Sequence, residues 1–198
     1  MRRLGSGITA LLPERIVTQR LVLRKLRLDD AESLHGALSD EQVMRYWSNR
    51  PLGSLEETQA YIAGNMPEGD RPTLGITLGH ADHEAPALGW VAFWERRKGC
   101  AELGYILRRD AWGQGYAREA VGAVIAYAFD TLGMRKIGAD IDPDNASSLR
   151  LLESLGFRRE GLLRAEWETH IGIRDSVLLG LLADDWRAAR GTPDFTAK

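Results

Sequence analysis

The run Trp112-Gly113-Gln114-Gly115-Tyr116-Ala117-Arg118 constrains this chain more than any other segment. It stands between an alternating apolar stretch, residues 101–108, and the clearest periodic signal in the sequence. There Ala117, Val121, Val124, Ile125, Ala128 and Leu132 recur at three- and four-residue intervals. A strand therefore enters a turn and leaves as a helix of about four turns, which Gly133 stops. The first turn of a helix leaves backbone N–H groups without partners and carries the positive end of the helix dipole. Glycines there let the backbone approach a bulky anion, and Arg118 adds a positive charge. The same glycines also suit a tight strand–helix connection with no ligand. Two rival phosphate motifs are excluded. No Gly-Lys-Ser/Thr ending makes a P-loop, and the third glycine and acidic strand end of a dinucleotide fold are missing.

The remaining pattern predicts the frame around this turn. Residues 21–26 alternate as a strand. Ala31, Leu34 and Leu38 share one face of a helix capped by Asp29 or Asp30. A second helical piece covers 40–47, and Ser54 with Glu57 forms a capping box for a helix running to about Met66. Strands at 73–78, 88–95 and 101–108 make two adjacent hairpins, the second through Arg97-Lys98-Gly99. After the long helix come a strand at 136–142 and a helix capped by Asn145, with Leu151, Leu152 and Leu155 inward. A last strand region opens at Phe157. The unbroken apolar run 177–182 predicts a strand covered on both faces. The fold class is α/β (α+β), one domain over residues 18–190 with a mixed, mostly antiparallel central sheet flanked by helices. Residues 1–17 are read as an N-terminal arm.

Composition narrows the partners. With 26 Lys+Arg against 28 Asp+Glu the net charge is −2 and the signs are mixed, so no basic face offers itself to nucleic acid. The single cysteine, Cys100, leaves no intrachain disulfide and no thiolate cluster for a metal. No apolar run approaches the roughly 20 residues that span a bilayer. Met1-Arg2-Arg3 and the apolar residues 8–12 imitate a signal peptide, but the stretch is short and Pro13-Glu14-Arg15 follows it. A cytoplasmic protein without a membrane partner is expected.

Glu102-Leu103-Gly104-Tyr105-Ile106-Leu107, followed by Trp112-Gly113-Gln114-Gly115-Tyr116-Ala117-Arg118-Glu119-Ala120, resembles the central acetyl-coenzyme A motif of the GNAT superfamily. The form with Trp112 resembles the RimJ/RimL branch, the ribosomal-protein alanine N-acetyltransferases. Gln19-Arg20-Leu21-Val22-Leu23-Arg24 with Asp29-Asp30-Ala31 is similar to the family's opening strand and helix. Asn145-Ala146-Ser147-Ser148 through Leu155-Gly156-Phe157 resembles a later motif, and Arg174-Asp175-Ser176-Val177 through Asp185-Trp186 the closing strand. Four ordered motifs over residues 19–186 are more specific than one glycine turn. The resemblance implies acetyl-CoA as the acetyl donor, no metal, and a sheet that splays beside residues 101–108. It implies a pantetheine arm hydrogen-bonded to the backbone of Ile106, Leu107 and Arg108. The pyrophosphate would lie on the amides of Gly113, Gln114, Gly115, Tyr116, Ala117 and Arg118. Asn145 would contact the pantetheine end, and Ser148 would lie near the thioester sulfur.

Acetyl transfer needs a neutral amine, a polarised thioester carbonyl and a proton for the departing thiolate. Near pH 7 a lysine-like amine is over about 99.9% protonated and an α-amine roughly 90%, so a base matters more for the first. Glu102 is the candidate base, on a central strand face shared with Gly104 and Ile106. The alternative is a local ion pair. Ser148 is the candidate acid, with helix-turn hydrogen bonding as its alternative. Tyr105 and Tyr116 are further proton donors, although Tyr105 shares its strand face with Leu103 and Leu107 and suits core packing. Tyr46, Trp47, Trp94 and Trp167 are candidates to line an acceptor groove. His80-Ala81-Asp82-His83-Glu84 reads as a solvated hairpin turn rather than a metal site. The expected acceptor is an amine on a protein N-terminus; polyamines and amine antibiotics are the alternatives, to which Glu56, Glu57, Glu68 and Asp70 could offer negative charge. A non-catalytic acyl-CoA sensor is the alternative from another class. The apolar last strand and the arm are the surfaces for a homodimer.

Overall fold

The computed structural model describes residues 12–66, 73–79 and 85–190. Its frame is one eight-stranded sheet. The strands are β1 (Arg15–Val17), β2 (Leu21–Lys25), β3 (Thr73–Leu78), β4 (Gly89–Arg97), β5 (Cys100–Leu107), β6 (Lys136–Ile141), β7 (Arg158–Thr169) and β8 (Gly172–Leu182). They lie in the order β1-β2-β3-β4-β5-β6-β8-β7, and only β5 and β6 are parallel neighbours. The helices are α1 (Ala31–Leu38), α2 (Glu41–Met44), α3 (Leu55–Gly64), α4 (Tyr116–Asp130), α5 (Ala146–Ser154) and α6 (Ala183–Arg190). This is the mixed, mostly antiparallel α/β domain that the sequence predicts.

Alternation along the strands feeds a core on each face of the sheet. On one face Val121, Val124 and Ile125 of α4 and Leu152 of α5 pack against Leu103 and Ile137. On the other, Leu34 and Leu38 of α1 and Ile62 of α3 pack against Trp90, Ala92 and Ile106. Each such side chain removed from water contributes about 1.5–3 kcal/mol, which is why the periodic stripe of α4 reads so clearly. Two predicted caps form, Ser54 accepting from the Glu57 amide and Asn145 from the Ser148 amide, and Asp40 adds a third by accepting from the Gln42 and Val43 amides. The predicted cap of α1 does not: Asp30 stands at its N-cap without a side-chain cap bond, because its carboxylate is paired with Arg24.

Three features differ from the expectation. Part of the predicted arm is strand β1, whose Ile16 pairs with Leu23 and packs against the core; residues 1–11 lie outside the described residues. Three residues are too few to show a period. Helix α6 was not predicted. Asp184 and Asp185 in its first turn and Arg187 and Arg190 in its last suit the helix dipole, and Trp186 packs on Phe129. Strand β8 is covered on both faces only as far as Leu181: Ser176, Val177, Leu179, Gly180 and Leu181 are buried and Leu178 is half-buried, but Leu182 at its end is exposed.

The feature that positions the site is a short seam. Strands β5 and β6 pair only at Cys100↔Lys136, Ala101↔Ile137 and Glu102↔Gly138. Beyond Glu102 they part, while β5 stays on β4 to Leu107 and β6 stays on β8 to Ile141. The wedge between them is the splay that the resemblance implies.

Candidate active site

The glycine turn stands beside this wedge. Gly113 and Gly115 have φ of +72° and +78°, angles that side chains disfavour. No atom lies within 4 Å of a Cβ built on Gly113, so its backbone angle, not crowding, calls for glycine. Gly115 is the N-cap of α4, with no side chain to satisfy the first amides of the helix. The turn is held from behind by Arg20, whose role no sequence pattern signals. Arg20 Nη1 donates to the Gln114 carbonyl at 2.8 Å and Nε to Glu119 at 2.7 Å, and its guanidinium lies 4.9 Å from the Tyr116 ring centroid. Thr18 also donates to Glu119 at 2.6 Å. Burial pushes the Glu119 carboxyl up, but these donors outweigh it and hold the group below the ordinary glutamate value. Arg118 donates to the Ser154 hydroxyl at 2.9 Å. With Arg20 and Arg190 it lines an open groove of about 670 Å³ that starts at Gly115 and passes Gly122 toward Trp186.

The strand edge facing the wedge corrects one expectation. Arg108 donates its amide to Leu88 at 2.8 Å, and its carbonyl accepts from Ala111 at 3.0 Å. A methyl group on Gly89 would collide with the Ile106 carbonyl, which therefore faces β4. Backbone groups alternate in direction along a strand. Of Ile106, Leu107 and Arg108, only Leu107 turns its backbone toward the wedge, and the next residue that does so is Tyr105. Trp112, 45% exposed, donates its indole N–H to the Leu107 carbonyl at 2.8 Å and ties the turn to the strand.

Tyr105 and Ser148 meet near the wedge on the α4–α5 face. The Tyr105 hydroxyl is buried and has no hydrogen-bond partner among the described residues. Burial pushes the phenol up to about 12, and Ser148 pulls it back in part without completing a hydrogen bond. Asn145 caps α5: its Oδ1 accepts from the Ser148 amide at 3.2 Å and the Ser147 hydroxyl at 3.0 Å.

The opposite face carries the aromatic and acidic groups. Trp94 and Trp47 stand over Gly104, each with a ring atom about 4 Å from a Cβ built there. Trp47 donates to the Tyr61 hydroxyl at 2.8 Å and meets Trp90 edge-on. Glu102, two residues earlier on this face, accepts from Arg96 at 2.7 Å. The ion pair weighed against a free base is therefore present. Since Glu102 pairs with Gly138, Asp140 on β6 continues the same face, and Asp142 follows directly after the end of the strand. Asp142 accepts from Arg174 Nε at 2.7 Å, and Arg174 also reaches Asp144. Burial pushes the Asp142 carboxyl up, but Arg174, the Asp144 amide and Arg45 outweigh it and hold it low. Asp140 accepts from Trp167 Nε1 at 3.0 Å and from the Ser176 hydroxyl.

Other predicted groups stand apart. Glu57 is tied to Arg50 and the Gly53 amide, and Cys100 is buried. Residues 80–84, with the His80 and His83 cluster, and Glu68 and Asp70 lie outside the described residues. No helix among the described residues is long and apolar enough to cross a membrane.

A sheet that opens beside a glycine-rich, uncapped helix start is the arrangement that the resemblance to the GNAT superfamily implies. The chain belongs to the acetyltransferase (GNAT) domain family, which matches residues 20–158. It is 36% identical over 176 residues to the uncharacterised N-acetyltransferase p20 of Bacillus licheniformis, covering 87% of this chain and 98% of that one. The GNAT-family acetyltransferase structure from Bacillus anthracis superposes with a TM-score of 0.76 at 26% identity, over 86% of this chain and 99% of that chain. Spermidine N-acetyltransferase from Vibrio cholerae, solved with CoA and spermine, shares the fold with a TM-score of 0.71 at 23% identity, over 85% and 99%. The chain is thus an N-acetyltransferase by family.

Proposed function

We propose that the chain transfers an acetyl group from acetyl-CoA to a primary amine, with a protein N-terminal α-amine as the preferred acceptor. The observation that carries the donor side is the conjunction of the β5–β6 wedge with the uncapped glycine turn at its mouth. The residues fit the donor. First-turn amides from Tyr116 to Arg118 suit a pyrophosphate, the Leu107 and Tyr105 backbone suits an amide-bearing arm, and the orphaned Tyr105 hydroxyl suits a polar group in the wedge. When bound, acetyl-CoA supplies an activated acyl thioester. Ser148 and Tyr105 then present hydroxyl groups to the sulfur. A phenol raised to about 12 stays neutral and serves by hydrogen bonding. Glu102, held by Arg96, contributes fixed negative charge beside the acceptor.

An α-amine is favoured because roughly a tenth of it is already neutral near pH 7, against less than about 0.1% for a lysine-like amine. A second reading, a polyamine acceptor, is favoured by the likeness to spermidine acetyltransferase. The deciding experiment incubates the protein with acetyl-CoA and a panel of peptides, spermidine and spermine, and weighs the products by mass spectrometry. A 42 Da gain (about one acetyl group) on peptide N-termini is expected. Modification of polyamines alone would replace the first reading with the second, and a panel left unmodified would remove both. Ser148→Ala should lower kcat about 10- to 100-fold with CoA affinity unchanged; an unchanged kcat would exclude Ser148.

A further inference from the structure

Asp140 differs from the carboxylates around it. On the same side of the molecule Glu102 is paired with Arg96, Asp142 and Asp144 with Arg174, and Asp40 with Arg109. Asp140 has only neutral donors, the Trp167 indole N–H and the Ser176 hydroxyl, and no cationic partner among the described residues. Ser176 is fully buried. A half-buried carboxylate with two neutral hydrogen bonds keeps its charge uncompensated and keeps free lone pairs on both oxygens.

The fold goes to some length to build this arrangement. Between Leu163 and Trp167 strand β7 takes four steps while β8 takes two, from Ser176 to Arg174. In the resulting bulge Ala165 has φ of +52°, the single non-glycine residue at positive φ among the described residues, and its amide is held by Asp175 at 2.8 Å. A bulge bends a strand and re-aims its side chains, and an alanine in the left-handed region costs about 1–2 kcal/mol. Here Trp167 reaches across β8 to Asp140 on β6. Asp140 lies two residues past Gly138, as Gly104 lies two past Glu102. It therefore stands across the wedge at the level where Trp94 and Trp47 stand over β5.

We propose that Asp140 is the group that receives the acceptor amine, binding its ammonium form and taking its proton. This rests on the reading of the chain as an amine acetyltransferase and names the part of that site that touches the acceptor. The acceptor ammonium gives one proton to Asp140, and the freed nitrogen lone pair adds to the thioester carbonyl carbon. The C–S bond breaks, the second proton of that nitrogen passes to the departing thiolate, and Asp140 returns its proton to water. The balance is one ammonium and one thioester to one amide, one thiol and one proton. The missing counter-charge at Asp140 is the charge that the substrate brings, and Trp167, 47% exposed, forms the rim of the same place.

The test uses the full chain and Asp140→Asn, which keeps the shape of the side chain, exchanges one carboxylate oxygen for an amide nitrogen and removes the charge. Two probes are used, Ala-Gly-Gly amide and spermidine. Calorimetry of CoA alone should give affinities within twofold for parent and variant, which establishes an intact donor site. Titration of each probe into the CoA complex should show binding by the parent weakened at least tenfold in the variant. Acetyl transfer to the accepted probe should fall about 100-fold in kcat/KM, with the KM for acetyl-CoA unchanged, while Glu102→Gln should cost less than tenfold. If the parent acetylates a probe and Asp140→Asn retains its binding and kcat/KM within threefold, Asp140 is not the acceptor's partner and the amine reading still stands. If the parent modifies neither probe nor any other amine, the amine reading itself fails. A variant that loses CoA binding also counts against the assignment, because a residue confined to the acceptor side should leave it alone.

Discussion

Single residues carry the sharpest consequences. The buried Tyr105 hydroxyl has no partner among the described residues, and such a group costs about 1–3 kcal/mol. Tyr105→Phe should therefore leave thermal stability unchanged or raise it without CoA, and should lower kcat if the hydroxyl serves the thioester. Its pH signature has a definite sign. A phenol raised to about 12 stabilises the fold fully below its ordinary value near 10, and that contribution is lost as pH rises toward about 12. Urea unfolding from pH 9 to 12 should show the parent losing stability that the variant keeps; parallel curves would refute the assignment. The sequence could nominate Tyr105 and Ser148, since hydroxyls are visible as letters. It could not show that Ile106 and Arg108 turn their backbone groups away from the wedge. Side-chain pattern records which face a residue presents, whereas backbone direction depends on which neighbour a strand pairs with.

At the scale of elements, the glycine turn separates two costs that are easily confused. Gly113 and Gly133 have φ of +72° and +65°, and neither has an atom within 4 Å of a built Cβ. Gly113→Ala and Gly133→Ala should each cost about 1 kcal/mol through the backbone alone. Only the first should weaken CoA binding, by about tenfold, as read by calorimetry; equal effects on CoA would deny the turn its role. The turn and α4 were legible because composition and period agree there. Strand β7 was legible only as a strand region opening at Phe157; its length and its bulge were not, because its twelve residues are exposed almost throughout and leave no apolar alternation. The link from Trp167 to Asp140 spans 27 positions and depends on a bulge that no local rule announces.

At the scale of the molecule, the two halves of the sheet are joined at the wedge by three parallel pairs, and each half carries its own fastenings. On the β6–β8 side Arg174 clamps Asp142 and Asp144. The Asp142 carboxyl is held below its ordinary value, so its contribution is present above about pH 4 and is lost as pH falls through the lowered value. Asp142→Asn should flatten the fall in urea midpoint between pH 5 and pH 2; an unaltered fall would show that the clamp does not matter to stability. The family match ends at residue 158, where β7 begins. Trp167, Arg174 and Ser176 therefore sit together on one antiparallel hairpin outside the matched stretch, while β5, the glycine turn and α4 sit within it. In engineering terms residues 159–182 form a cassette. Exchanging that hairpin between relatives would move the indole, the hydroxyl and the guanidinium in one piece, and the acceptor role proposed for Asp140 predicts that such an exchange changes the amine taken while CoA affinity stays as it was.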